Sequence, residues 1–559
     1  LTTTVAAPRR KENHNALQEV PEPLPRLEAA TVLAHVLTWA VLATGFTLLI
    51  VHYSVTRGKL IVPAHYDDVT YLRDGLSKLD GFYRGGLNGI LGRAIDQPPH
   101  SPFSTLVAVA GYALFGIHDW SPYAANGMII FGLLAFTDYL LRGVQPWLKL
   151  VAFLFVLTVP IAAQSIYEFR SDMAVGLMTA SVIVLLLEAS LTRSSAKYLY
   201  TVGVLIGLTL LAKTSIFPIT LGLAGCALVA TTVKDRILLG SEARVSNLAR
   251  AWIKILLPAL FIPLPFYFRN RHEIIYYITV NALGSNSDIW KLHADYLTHA
   301  LYYATGVGGS TMLGQLFYLM AAALIVGLFG VLWQRPRSDI ARAACYGFML
   351  LVAFLGPALN PIKDPFLAVS FDFLLIFITL LVVRGLLASR HAFWERFAKV
   401  SLLLMLLVGA WFAKWPMYWG ERTRPDVVTR NRYMHDLYQG IRSHNPSGEA
   451  KVLVAVSGVF ANADSFGYMG DKDGLTHLDF TSDFTNKSKA DFDRELTQNE
   501  FVIIGDPGNP EDDPNVPYNQ MLEQTLSEMR SSDQFVLIAT CPAFAGKNYY
   551  LYQRHSAGK

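Results

Sequence analysis

Charge is scarce in this sequence. Only 16% of its 559 residues are Asp, Glu, Lys or Arg, against about 25% in soluble proteins. A surface that faces water everywhere is thereby excluded. Cysteine is far scarcer: Cys226, Cys345 and Cys541 are the only three. They have no metal-ligand spacing and provide no disulfide framework. The net charge of +4 gives no reason to expect nucleic acid as a partner. There is no Walker-type phosphate loop, and no nucleotide-sugar fold precedes the first apolar run. Internal repeats and low-complexity linkers are absent.

What is present is a series of long apolar runs, such as Leu33 to Val51, Leu313 to Trp333 and Phe373 to Val383. Runs of about 18 or more apolar residues read as membrane-spanning helices. Spans are expected at 31–53, 122–141, 147–165, 173–191, 198–212, 215–233, 252–268, 313–333, 342–359, 367–384 and 398–415. The first follows a polar tail and has no small-residue cleavage site, so it reads as an anchor, not a signal peptide. Loop charge decides the twelfth apolar segment, Ser101 to Ile117. If it lies along the interface and the N-terminus is cytoplasmic, the inner loops carry Arg142, Lys149, Arg193, Lys197, Lys234, Arg236, Arg244, Arg250, Arg335, Arg337, Arg384, Arg390 and Arg396. That is a positive-inside pattern; a crossing at 101–117 would invert it.

The expected fold is therefore an all-α polytopic membrane domain of about eleven spans plus interfacial helices, with a small C-terminal α/β domain. Residues 1–30 form a cytoplasmic tail, 31–415 the membrane domain with a first outer loop at 54–121, and 416–559 an extracytoplasmic domain. In that domain Lys451–Val456, Phe501–Gly505, Phe535–Ala539 and Tyr549–Tyr552 read as strands and Met521–Arg530 as a helix.

The outer face collects the polar groups of interest. The first loop holds His65-Tyr66-Asp67-Asp68-Val69-Thr70. Adjacent carboxylates beside a membrane are costly unless solvated or used. They can supply a general base for an acceptor hydroxyl, or Asp68 can cap the helix-like run that follows. Arg170 and Asp172 sit in the short loop before the fourth span, where Asp172 caps the helix or shares a cavity with Asp67. Lys213 ends another span, either snorkelling to the interface or holding a phosphate as a point charge. Arg269, Arg271 and Lys363 stand at the same depth. Positive-inside statistics disfavour cations there, so the cluster points to an anionic ligand, and a lipid phosphate lies at that depth. His100, between prolines, reads as structural.

These stretches together resemble the GT-C superfamily of membrane glycosyltransferases, and within it the branch of the protein O-mannosyltransferases and lipid A aminoarabinosyltransferase. Asp67-Asp68-Val69-Thr70-Tyr71 is similar to the acidic motif after the first span. Gln97-Pro98-Pro99-His100-Ser101-Pro102-Phe103 with Leu114-Phe115-Gly116 resembles the Pro-rich start and the end of an interfacial helix. Phe169-Arg170-Ser171-Asp172-Met173, Leu211-Ala212-Lys213-Thr214 and Lys363-Asp364-Pro365 follow in the family's order. The resemblance covers residues 30–370. It implies a polyprenyl-phosphate sugar donor and an inverting displacement, with Asp67 or Asp68 as base and Asp172 positioning substrate. By the same likeness Arg170, Lys213, Arg269, Arg271 and Lys363 are phosphate-binding candidates, and His100 stands where another contact falls. The acidic pair departs from the family's common Asp-Glu, and the terminal domain matches no familiar module.

The implied partners are the lipid-linked donor, membrane lipids, and a lipid, glycan or protein acceptor. No site metal is assigned, and a divalent cofactor is left open. The expected location is a bacterial inner or plasma membrane. Two other functions compete. A transporter would place ionisable groups near the midplane in matching halves, and here the spans are nearly free of charge. A non-catalytic scaffold on the same fold would show by loss of the acidic motif, and both aspartates are present.

Overall fold

In the computed structural model the described residues run from 29 to 555, apart from 63, 66–67, 95–101, 281–283, 285–286, 288–290, 335–336, 390, 414–424, 446–448, 459–460, 475–476, 483–487, 511, 513 and 515. The chain opens with α1 (Ala29–Arg57), a short 3-10 turn (Lys59–Ile61) and α2 (Asp68–Ala94). Then come α3 (Pro102–Phe115), α4 (Ser121–Ala125), α5 (Gly127–Leu140), α6 (Pro146–Thr158), α7 (Pro160–Tyr167) and α8 (Ser171–Glu188). The series continues with α9 (Ala196–Ala212), α10 (Phe217–Leu239), α11 (Val245–Phe261), α12 (Leu264–Arg269) and α13 (Arg271–Ile278). Two short helices, α14 (Tyr296–Leu301) and α15 (Val307–Met312), precede α16 (Leu316–Gln334), α17 (Arg337–Leu359), α18 (Val369–Leu387) and α19 (Ala392–Trp411).

Each of the eleven expected spans falls on one of these helices or on a consecutive pair. Among the described residues six helices are long and apolar enough to cross a membrane by themselves. The pair α6–α7 makes a seventh, bent by 59° at its break. Proline causes that break. Pro160 has no N–H to donate into the preceding turn, and it suits the first position of a new helix. α3, α9 and the stretch Leu316–Gly330 of α16 are apolar but shorter. The chain is an integral membrane protein.

α18 and α8 stand at the centre of the bundle and are enclosed on nearly every side. α1 instead exposes Leu37, Val41, Leu48 and Leu49, and α17 exposes Phe348, Leu351 and Leu355. Apolar side chains on the outside are what a lipid solvent permits. Between α9 and α11 there is no driving force from water, so close approach of small residues takes over. A Cβ on Gly203 would come within 2.2 Å of the Ile255 carbonyl oxygen.

The C-terminal part has its own core. After α20 (Pro425–His444) the order is β1 (Ala450–Val454), α21 (Ala463–Lys472), β2 (Leu478–Thr481), α22 (Lys489–Gln498), β3 (Phe501–Gly505), α23 (Pro517–Ser531), β4 (Phe535–Pro542) and β5 (Asn548–Arg554). The strands lie in the order β2-β1-β3-β5-β4. The first three are parallel, joined by helical crossovers as parallel pairs require, and β5 and β4 are antiparallel. The four strands and one helix expected from the sequence are all present. β2, α20, α21 and α22 are additions, and all but α20 are short, at 4, 10 and 10 residues.

This part docks on the first loop. Arg73 of α2 places Nε 2.9 Å from Asp471 and Nη1 3.3 Å from Asp464, both on α21. Tyr468 donates its hydroxyl to Asp119 at 2.8 Å and lies 3.0 Å from the Tyr112 hydroxyl. Lys472 reaches Asp119 at 2.7 Å. The cores interlock: Tyr468 is buried in the bundle's core, and Val62 in that of the C-terminal part.

Candidate functional site

Asp68 is the first residue of α2, where the helix dipole favours a negative charge. It is fully buried. Its Oδ2 accepts three hydrogen bonds, from Lys59 Nζ at 2.7 Å, from the Tyr123 hydroxyl at 2.7 Å and from the Phe169 amide at 2.9 Å. The donors come from the 3-10 turn, from α4 and from the loop after α7, so Asp68 ties three segments together. Lys59 is equally buried and also donates to the Glu168 carboxylate. One ammonium thus stands between two enclosed carboxylates.

The two acids differ. Burial works to raise Asp68, but the Lys59 charge and the three donors outweigh it and hold the carboxyl below its usual range. Burial pushes Glu168 up to about 7, helped by repulsion from Asp68 and only partly offset by Lys59 and Arg170. Like charges at one site separate in this way when only one can be fully compensated.

Next to this triad lies a second ion pair. Both oxygens of Asp172, in the first turn of α8, are 2.7 Å from Lys213 Nζ at the end of α9. Burial opposes the charge on Lys213, yet Asp172 and Tyr71 hold its amine above the ordinary value. Asp172 is enclosed, while Lys213 keeps 21% of its side chain exposed. Between the triad and this pair stands Arg170. Its Nη1 is 3.3 Å from Asp364, and its guanidinium lies 4.1 Å from the centre of the Phe366 ring. Asp364 in turn caps the turn at Pro365–Ala368 by accepting from the Phe366 amide. Five consecutive residues, 168–172, therefore join the first loop, the end of α9 and the loop before α18.

Of the residues expected from the sequence, Asp68, Arg170, Asp172 and Lys213 belong to this constellation. Lys363 adjoins Asp364 but is engaged elsewhere. Its ammonium lies 2.8 Å and 2.9 Å from the carbonyls of Pro357 and Ala358, at the C-terminal end of α17. Burial lowers its pKa to about 8. Arg269 and Arg271 are exposed on α12 and α13, and Arg271 donates to the Phe268 carbonyl in its own turn. Asp67 and His100 lie outside the described residues. The sequence reading missed Lys59, Tyr123, Glu168 and Asp364. Lys59 follows a span like any flanking cation, and nothing local marks it as buried. Among the described residues no three His, Cys, Asp or Glu side chains gather around a position for a metal ion.

No family model matches the sequence, and no curated protein does. Solved structures are similar. ArnT from Cupriavidus metallidurans bound to undecaprenyl phosphate matches over 93% of this chain and 98% of its own, with a TM-score of 0.56 and 12% identity. The arabinofuranosyltransferase AftD from mycobacteria matches over 93% of this chain but 40% of its own length, with a TM-score of 0.50 and 14% identity. Both are GT-C glycosyltransferases, and the polytopic bundle with its C-terminal α/β part has the GT-C fold.

Proposed function

We propose that this chain transfers a sugar from a polyprenyl-phosphate donor to an acceptor at the outer face of the membrane. The observation that carries the proposal is the packing of Asp68, Glu168, Arg170, Asp172 and Lys213 at one end of the bundle, on the side where the C-terminal part docks. The positive-inside pattern of the loop charges supports assigning that end to the outer face. The similar ArnT structure holds undecaprenyl phosphate, a lipid of the class proposed here.

The chemistry follows from what each group has free. Asp68 is fully enclosed and its Oδ2 is held by three donors, so it serves as the anchor that sets the loop. Asp67, its neighbour, is the base. It takes the proton of the acceptor hydroxyl as that oxygen attacks the anomeric carbon from the face opposite the phosphate. The bond from that carbon to the phosphate oxygen breaks with inversion, and its electron pair stays on the lipid phosphate. Lys213, partly open, and Arg170 stabilise the charge that grows there. An apolar groove of about 730 Å³ is lined by Leu210, Phe217, Leu257, Leu260, Leu264 and Tyr267. Leu210 and Phe217 flank Lys213 in the chain, so a polyprenyl tail can lie in lipid while its phosphate meets the cation.

The test uses purified protein, radiolabelled polyprenyl-phosphate pentoses and hexoses, and a membrane extract as acceptor source. Wild type moves label into a new product, and Asp67→Asn abolishes transfer while leaving thermal unfolding unchanged. Full activity of Asp67→Asn removes the base assignment. If folded wild type takes no label from any donor, the scaffold reading replaces the transferase.

A further inference from the structure

The opposite end of the bundle holds a second polar cavity that the proposed reaction does not use. Asp172 and Glu188 stand at the two ends of α8, about 24 Å apart at roughly 1.5 Å per residue. Around Glu188 a cavity of about 560 Å³ opens, a size typical of small-ligand sites. Cations enter it from four elements: Arg142 from the turn after α5, Arg342 from α17, Arg384 from α18 and Lys399 from α19. The carboxylates on its wall are Glu188, Asp339 and Glu395. Four cations against three carboxylates leave one positive charge.

These cations are not equally engaged. Arg384 is fixed, with Nη2 2.8 Å from Glu188 and Nη1 2.9 Å from the Leu140 carbonyl. Tyr346 donates its hydroxyl to the same carboxylate. Glu188 is thus answered from within the bundle. Arg142 lies at 4.0 Å from Glu188, over the ring of Tyr139, with 38% of its side chain exposed. Among the described residues Lys399 pairs with Glu395, one helical turn away at 2.6 Å, and such an exposed pair is worth little. Arg342 is exposed, and its charge acts on Glu188 and Tyr346 without holding either as closely as Arg384 does. Three cations on three separate elements are therefore available to one anion.

We infer that this cavity binds the headgroup of an anionic phospholipid in the leaflet at that end, with Arg142, Arg342 and Lys399 as its phosphate contacts. A lipid suits the site better than free phosphate because the protein continues it as apolar surface. Phe348 and Leu351 on α17 and Val400 and Leu403 on α19 are exposed along the helices that carry Arg342 and Lys399. Acyl chains can lie there while the phosphate meets the cations. Basic pockets between helix ends at the cytoplasmic leaflet bind such headgroups, and the positive-inside reading of the loops favours that leaflet for this end. The inference does not depend on the proposed transfer.

The experiment measures lipid retention by native mass spectrometry of the full chain in detergent, titrated with phosphatidylglycerol or with phosphatidylcholine. Wild type retains phosphatidylglycerol and not phosphatidylcholine. Arg142→Gln/Arg342→Gln binds it about 30-fold more weakly, at roughly 5-fold per basic side chain. Both arginines are surface residues, and the melting temperature in detergent verifies folding. Arg244→Gln/Arg250→Gln, a pair of exposed arginines outside the cavity, keeps wild-type retention. Equal retention by the cavity variant overturns the inference, as does equal retention of the two lipids. Competition by soluble glycerol phosphate at the affinity of the lipid overturns the lipid assignment.

Discussion

Lys59→Met is the most informative single change at the candidate site. Among the described residues Lys59 is the one ammonium in contact with both Asp68 and Glu168, and all three side chains are enclosed. Methionine keeps the length of the side chain and removes its charge. Asp68 then retains the Tyr123 hydroxyl and the Phe169 amide as donors. Glu168 fares worse, because its Oε1 already has no partner among the described residues. Breaking a buried ion pair by deleting one member costs about 3–5 kcal/mol. The expected loss sits at the upper end above neutral pH, where both acids are ionised. It shrinks toward pH 5 as Glu168 takes a proton. Thermal unfolding in detergent, followed by tryptophan fluorescence from pH 5 to pH 8, reads this directly. Adding Glu168→Gln to Lys59→Met should recover a large part of the loss. A melting temperature equal to wild type, or a loss independent of pH, would refute the electrostatic account of the triad.

Glu168 itself predicts a second pH effect. Its folded pKa of about 7 stands above the ordinary 4.5, so the stability it contributes is complete below that ordinary value and is lost as pH rises toward 7. Glu168→Gln should therefore gain stability relative to wild type across that window, and a constant difference between the two melting curves would exclude it. At the neighbouring pair, Lys213→Met strands an enclosed Asp172 and should cost about 3 kcal/mol. Asp172→Asn leaves a lysine that can reach water and should cost about 1 kcal/mol. Equal melting temperatures for these two variants would contradict the asymmetry in burial. At the docking surface, a Cβ on Gly467 would fall 2.6 Å from the Arg73 guanidinium carbon. Gly467→Ala should displace Arg73 from Asp464 and Asp471 at a cost near 1 kcal/mol and speed hydrogen exchange in α21. Unchanged exchange there would show that the clasp is not a fastening.

Much of this architecture was legible because hydropathy is a one-dimensional signal. The apolar runs and the strand Phe501–Gly505 each announce themselves within a few residues, whereas the bend at Pro160 lies inside a run that reads as one span, 147–165. Asp68, Arg170, Asp172 and Lys213 were legible as chemistry, since charged groups beside a span are rare enough to be noticed. Their pairing was not. Lys213 meets Asp172 across 41 positions of chain and Arg170 meets Asp364 across 194, and no local pattern encodes such distances. Lys59 was invisible for another reason. A cation just past a span looks like an interfacial anchor, and only the return of α7 and α4 makes it a buried counter-ion. The same holds at the other end, where Glu188 and Arg384 look like ordinary flanking charges until α8 and α18 pack side by side.

The interlocked cores carry a consequence for synthesis. Arg73 and its partner Asp464 are 391 residues apart, and Val62 completes a core built otherwise from residues beyond 430. At about 5–20 residues per second, the first loop emerges roughly 20–80 s before the surface it rests on exists. During that interval Lys59 and Asp68 must hold their segment with bundle contacts alone, and the newborn protein carries its acidic loop uncovered until the last strands are made.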